Sequence, residues 1–84
     1  MVMLMKYRDR NTIVHSILTV CLEPQSKTKI MYKAYLSYEQ LKEYLSFCTG
    51  KKLIELNGDG TYHITQHGKQ VLELQDKLES VLSN

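Results

Sequence analysis

His63 and His67 stand four residues apart, a spacing that on one helix would turn two imidazoles toward the same metal ion. Here Thr65, between them, reads as the point where a strand ends and a helix begins, so the rings fall on different elements. No third ligand lies near in sequence, and two surface histidines flanking a cap are expected, with no metal. Cys21 and Cys48 are far apart, outside any C-x-x-C pair, and each falls on an apolar stripe. That predicts reduced, buried and inert thiols rather than a nucleophile. Gly58-x-Gly60 belongs to a turn and lacks the strand-to-helix setting and further glycines of a phosphate loop. No catalytic residue, cofactor or small-molecule ligand is expected, and the chain reads as a non-enzyme.

The lysines offer a different chemistry. Lys27 and Lys29 fall in the first turn of a short helix, where the macrodipole prefers anions, at a cost of roughly 0.3–1 kcal/mol each. A local rule broken without internal gain is a feature of functional sites. Lys27, Thr28, Lys29 and Lys33 are therefore the expected phosphate contacts, which position a protein on DNA without specifying sequence. Tyr38, Glu39, Lys42 and Glu43 project from the leading end of the following helix and are the expected readers of base edges. The glutamates repel phosphates and help only by accepting from cytosine amino groups. The plainer reading is that the lysines extend into water and that Tyr32, Tyr35 and Tyr38 are partly buried against neighbouring helices.

Composition sets the frame for this chemistry. With 84 residues, 43% of them hydrophobic, and a single proline, the chain makes one small domain. Its net charge of +2 is unremarkable in total but not in distribution. Residues 1 to 52 hold nine basic groups against four acids, whereas residues 53 to 84 hold two against five. A basic body with an acidic tail suits a polyanionic partner. The longest apolar run, Met1 to Met5, is far short of the roughly 20 residues of a membrane-spanning helix. No basic segment precedes it as in a cleavable signal, so a cytoplasmic protein is expected.

Four helices and a hairpin must carry these side chains. Ile13, Ile17 and Cys21 form one ladder and Val14 and Leu18 the next, a helix between Asp9 and Leu22 that Asp9 caps and Pro24 keeps short. His15, with Asn11 and Thr19, falls on its outer face and is expected in solvent. Ser26 caps a second helix over Lys27 to Ala34, with Ile30, Met31 and Ala34 inward. Ser37 and Gln40 form a capping box for a third, with Leu41, Tyr44, Leu45 and Cys48 buried and Gly50 as its stop. Lys52 to Leu56 and Thr61 to Thr65 flank Asn57-Gly58-Asp59-Gly60, a strong hairpin turn. Thr65 then caps a helix from Gln66 to Leu82, in which Val71, Leu74, Leu78 and Val81 make a two-heptad apolar seam.

The fold class is thus mainly α with a small β-hairpin, in the order of a winged helix-turn-helix over residues 1–65, with an amphipathic helix over 66–84 in the same domain. The link Tyr35-Leu36-Ser37 is as short as such a corner requires. Lys27-Thr28-Lys29-Ile30-Met31-Tyr32 running into Leu36-Ser37-Tyr38-Glu39-Gln40-Leu41 resembles a small archaeal winged-helix family. Lys6-Tyr7-Arg8-Asp9-Arg10, Leu53-Ile54-Glu55 and Tyr62-x-Ile64-Thr65-x-x-Gly68 resemble its other landmarks, so the likeness spans residues 6 to about 75. The resemblance implies a predicted transcriptional regulator, related to small chromatin-type DNA-binding proteins that dimerise through a coiled coil of the last helix.

Double-stranded DNA and a second copy of the chain are the expected partners, with the third helix in the major groove and the hairpin beside it. Two rival readings share the fold. One is a weakly selective architectural DNA binder; the other is a winged helix that uses this surface on a protein. The seam of Val71, Leu74, Leu78 and Val81 is the expected dimer contact, helped by the first helix or by Met1 to Met5. The alternative is that the last helix folds back onto Ile13, Val14 and Leu18 of its own chain.

Overall fold

Asp9 starts the first helix as expected: its carboxylate accepts from the Thr12 backbone N–H at 2.9 Å and from the Thr12 hydroxyl at 2.8 Å. These two bonds, the backbone one foremost, hold its pKa below the usual carboxylate value. The structure, a computed structural model, describes residues 8–82. Met1 to Met5, and the landmark residues Lys6 and Tyr7, lie outside the described residues. Chain order is α1 (Arg10–Val20), β1 (Gln25–Ser26), α2 (Lys27–Lys33), α3 (Tyr38–Gly50), β2 (Ile54–Leu56), β3 (Thr61–Ile64) and α4 (Gln66–Leu82).

The hairpin β2–β3 is antiparallel, with Ile54 opposite Ile64 and Leu56 opposite Tyr62. A third strand extends it. β1 pairs with β3 through Gln25–Tyr62 and Ser26–Thr61, giving the sheet order β1-β3-β2. Two residues carry no readable alternation, so this strand leaves no trace in the sequence. Ser26 is at once a strand residue and the cap of α2, its side chain accepting from the Lys29 N–H at 3.2 Å.

The core is built from the apolar stripes. Ile13, Val14, Ile17, Leu18 and Cys21 meet Ile30, Ala34 and Leu36, then Leu41, Leu45 and Cys48, with Leu53, Ile54 and Ile64 of the sheet closing the far side. Each isoleucine, leucine or valine so buried is worth about 1.5–3 kcal/mol. Across the edge of this core the Arg10 guanidinium sits 4.6 Å from the centre of the Phe47 ring, joining α1 to α3. Both cysteines are free and buried. Burial pushes the Cys48 thiol up to about 11 and that of Cys21 up to about 12, the neighbouring Cys48 adding to the latter.

Three details correct the sequence reading. Gly50 is the last residue of α3, not its stop: Lys51 is the C-cap and Lys52, at φ 61°, turns the chain. Leu53 N–H reaches the Cys48 carbonyl at 2.8 Å and Lys52 N–H that of Thr49 at 3.0 Å, the paired bonds of a Schellman ending. α2 ends the same way with Tyr35, at φ 56°, in the turning position. Secondly, His15 is not simply solvated, since its Nε2 lies 2.7 Å from Asp76 Oδ1 on α4. Thirdly, the seam of α4 divides. Val71 and Leu72 pack against the core, while Leu74, Leu78, Val81 and Leu82 stand 58% to 74% exposed.

Candidate nucleic-acid interface

α2 is short, and its polar side chains have nowhere to go but solvent. Lys27, Thr28, Lys29 and Lys33 are all exposed, while Ile30 and Ala34 anchor the opposite side in the core. The first turn of α2 has no acidic residue to match the dipole. Among the described residues the ion pairs are His15–Asp76 and His63–Glu55, so none of these lysines is neutralised by a carboxylate.

α3 begins at the capping box foreseen in the sequence. Gln40 N–H donates to Ser37 Oγ at 3.1 Å and Ser37 N–H to Gln40 Oε1 at 3.0 Å. This fixes the first turn, from which Tyr38, Glu39, Lys42 and Glu43 all project into solvent. The Lys42 ammonium lies 5.4 Å from the centre of the Tyr38 ring. Leu41, Leu45 and Cys48 hold the helix down from behind.

The turn between the two helices is braced by a residue whose role the sequence did not reveal. Arg8 donates from Nη1 to the Ala34 carbonyl at 2.9 Å and from Nη2 to that of Tyr35 at 2.7 Å. A cation at carbonyls that end a helix is favourable. The contact spans 26 and 27 positions, beyond any periodic signal. The expectation of partly buried tyrosines is overturned at this corner: Tyr32, Tyr35 and Tyr38 are 70%, 83% and 62% exposed.

Helix, helix, tight corner, helix and hairpin around one core define the architecture, and a family model described as winged helix-turn-helix matches residues 7–83. The chain belongs to that family. No curated protein matches it. Among solved structures, this winged helix is similar to Sso10a-2, a DNA-binding protein from Sulfolobus solfataricus, with a TM-score of 0.79. The two are 24% identical, and the match covers 92% of this chain and 84% of that one. The likeness is one of fold, and it agrees with the archaeal family resemblance read from the sequence.

The wing itself is tight and anionic. Asn57 N–H bonds the Thr61 carbonyl at 2.7 Å, and Gly60, at φ +89°, makes the reversal that an L side chain rarely adopts. Asp59 takes the Thr61 hydroxyl at 2.6 Å and the Thr61 N–H at 3.0 Å, which hold its pKa below the usual value. His63 is used within the wing, its Nδ1 2.7 Å from Asn57 Oδ1 and its Nε2 3.4 Å from Glu55. Asn57 Nδ2 donates to Thr61 Oγ1 at 2.9 Å, which ties the same side chain across the turn. His67 lies exposed in the first turn of α4. Between Leu53 and Thr65 the winged helix places Glu55 and Asp59 and no lysine or arginine.

Proposed function

We propose that the chain binds double-stranded DNA as a homodimer and acts as a transcriptional regulator. α3 enters the major groove and reads base edges with Tyr38, Glu39, Lys42 and Glu43; Lys27, Thr28, Lys29 and Lys33 hold phosphates. The observation that carries this reading is the set of exposed α2 lysines without carboxylate partners. An unpaired surface cation keeps its full attraction for a phosphate and releases counterions when it binds one. The family and the fold shared with Sso10a-2 support it. The wing, bearing Glu55 and Asp59, serves as a spacer beside the backbone rather than as an anchor.

The dimer is carried by α4, whose outer half leaves Leu74, Leu78, Val81 and Leu82 uncovered. Two copies give two reading helices, and such pairing is how proteins of this architecture address paired half-sites.

A labelled duplex titrated at two salt concentrations tests the reading. Lys27→Ala with Lys29→Ala should lower the dependence of log K on log salt by about 0.9 per contact; an unchanged affinity and slope would sink the assignment. In the same assay Lys42→Ala and Glu39→Ala should weaken one sequence more than others. Equal weakening of all sequences marks a weakly selective architectural binder. Duplex binding no better than that of an equally charged control marks a winged helix directed at proteins.

A further inference from the structure

Three aromatic rings stand in solvent around the corner that Arg8 braces. Tyr32 is in the last turn of α2, Tyr35 in the turn itself and Tyr38 at the first position of α3, all of them more than three-fifths exposed. Aromatic side chains bring the largest burial gain of any residue type, so three that forgo it in succession are not explained by folding. Tyr35 adds a second cost, because its φ of 56° is a conformation that glycine adopts freely and tyrosine does not. Its backbone closes α2 and accepts from Arg8, but these bonds use its main-chain atoms alone and do not require an aromatic ring. The backbone beneath the ring is held by the two Arg8 hydrogen bonds, so the ring is presented from a fixed support. The cations Lys29, Lys33 and Lys42 are exposed beside these rings in sequence, and the Lys42 ammonium lies against the Tyr38 face.

We propose that this corner is a stacking platform for unpaired bases. The rings of Tyr32, Tyr35 and Tyr38 stack on successive bases of a single-stranded nucleic acid, or of an unpaired stretch within a duplex, while Lys29, Lys33 and Lys42 hold the phosphates between them. The inference rests on reading the helix pair as a nucleic-acid interface and adds the state of the ligand. In an intact duplex both faces of every base are covered by neighbours. A projecting ring therefore finds a stacking partner only where bases are unstacked. Since every base has such a face, binding of this kind is tolerant of sequence.

The chain has no tryptophan and six tyrosines, so tyrosine fluorescence reads the rings directly. The protein is titrated with a short single-stranded DNA, an abasic strand of the same length and a duplex of the same sequence. The single strand should bind with quenching, and the abasic strand, with the same phosphates, roughly tenfold more weakly or worse. Tyr32→Ala, Tyr35→Gly and Tyr38→Ala should each weaken single-strand binding about five- to a hundredfold. All three replace exposed side chains, and glycine suits the backbone at position 35, so the variants keep the fold, which circular dichroism verifies. The corresponding Tyr→Phe variants should bind as the wild type does.

Equal affinity for the abasic strand, or undiminished binding by the three ring deletions, overturns the platform. Loss in the Tyr→Phe variants equal to that in the deletions also overturns it, because the hydroxyls would then be holding phosphates. If the duplex binds and the single strand does not, the platform fails and the duplex reading stands. If neither binds, both fail.

Discussion

Gly68 shows how much a single side chain can decide. A Cβ at this position would collide with the carbonyl oxygen of Leu53 and lie 2.7 Å from Cγ1 of Ile64. The crowding follows from hydrogen bonds that pull three segments together. Thr65 Oγ1 donates to the Lys52 carbonyl at 2.7 Å and accepts from Gly68 N–H at 2.9 Å, while Thr65 N–H reaches Leu53 O at 3.0 Å. The Leu53 carbonyl is backbone, so it cannot swing aside as the end of a flexible side chain could. Gly68→Ala is expected to cost more than about 2 kcal/mol in urea unfolding; a change within about 0.5 kcal/mol would mean that α4 shifts freely. The glycine itself was visible in the sequence as part of Tyr62-x-Ile64-Thr65-x-x-Gly68, but its cause was not. The atoms it must avoid come from β3 and, fifteen residues back, from Leu53 just before β2.

At the scale of elements, the caps and stripes were legible because each is a local pattern. Asp9, Ser26, Ser37 and Thr65 start their helices where the sequence put them, and α4 spans Gln66 to Leu82 as read. Helix ends were less so. A glycine near an apolar run draws attention as a stop, yet α3 runs through Gly50 and turns on Lys52. Two substitutions follow from this geometry. Lys52→Gly should relieve a positive φ, and Gly50→Ala, with nothing within 4 Å of the added carbon, should improve the helix. Each should stabilise by roughly 0.5–1 kcal/mol in thermal or urea unfolding. Had Gly50 been the turning residue, its replacement by alanine would destabilise instead. The candidate interface was legible as residue types and their exposure. The support from Arg8 was not, because it crosses 26 and 27 positions of the chain, and neither was the exposure of Tyr32 and Tyr35.

For the molecule as a whole, the seam on α4 raises the question of what covers it. Its first members, Val71 and Leu72, are held by the core, and polar bonds continue the contact with α1: Gln75 Nε2 donates to the Asn11 carbonyl at 3.1 Å, and His15 pairs with Asp76. The fold-back alternative is therefore realised over the first half of the helix. The outer half is what we assign to a second copy. Burying each leucine or valine contributes about 1.5–3 kcal/mol, against an association cost of about 4–15 kcal/mol, so the dimer should be weak. Leu74→Glu with Leu78→Glu should convert it to a folded monomer in sedimentation at micromolar concentration, with the thermal midpoint of the monomer unchanged; a monomeric wild type would sink the dimer. A last consequence concerns Ser26, which both pairs with Thr61 in the sheet and caps α2 through its hydroxyl. One serine thus ties the wing to the lysine-bearing helix, and the separation of the two is set at a single residue like that of two arms on one bracket.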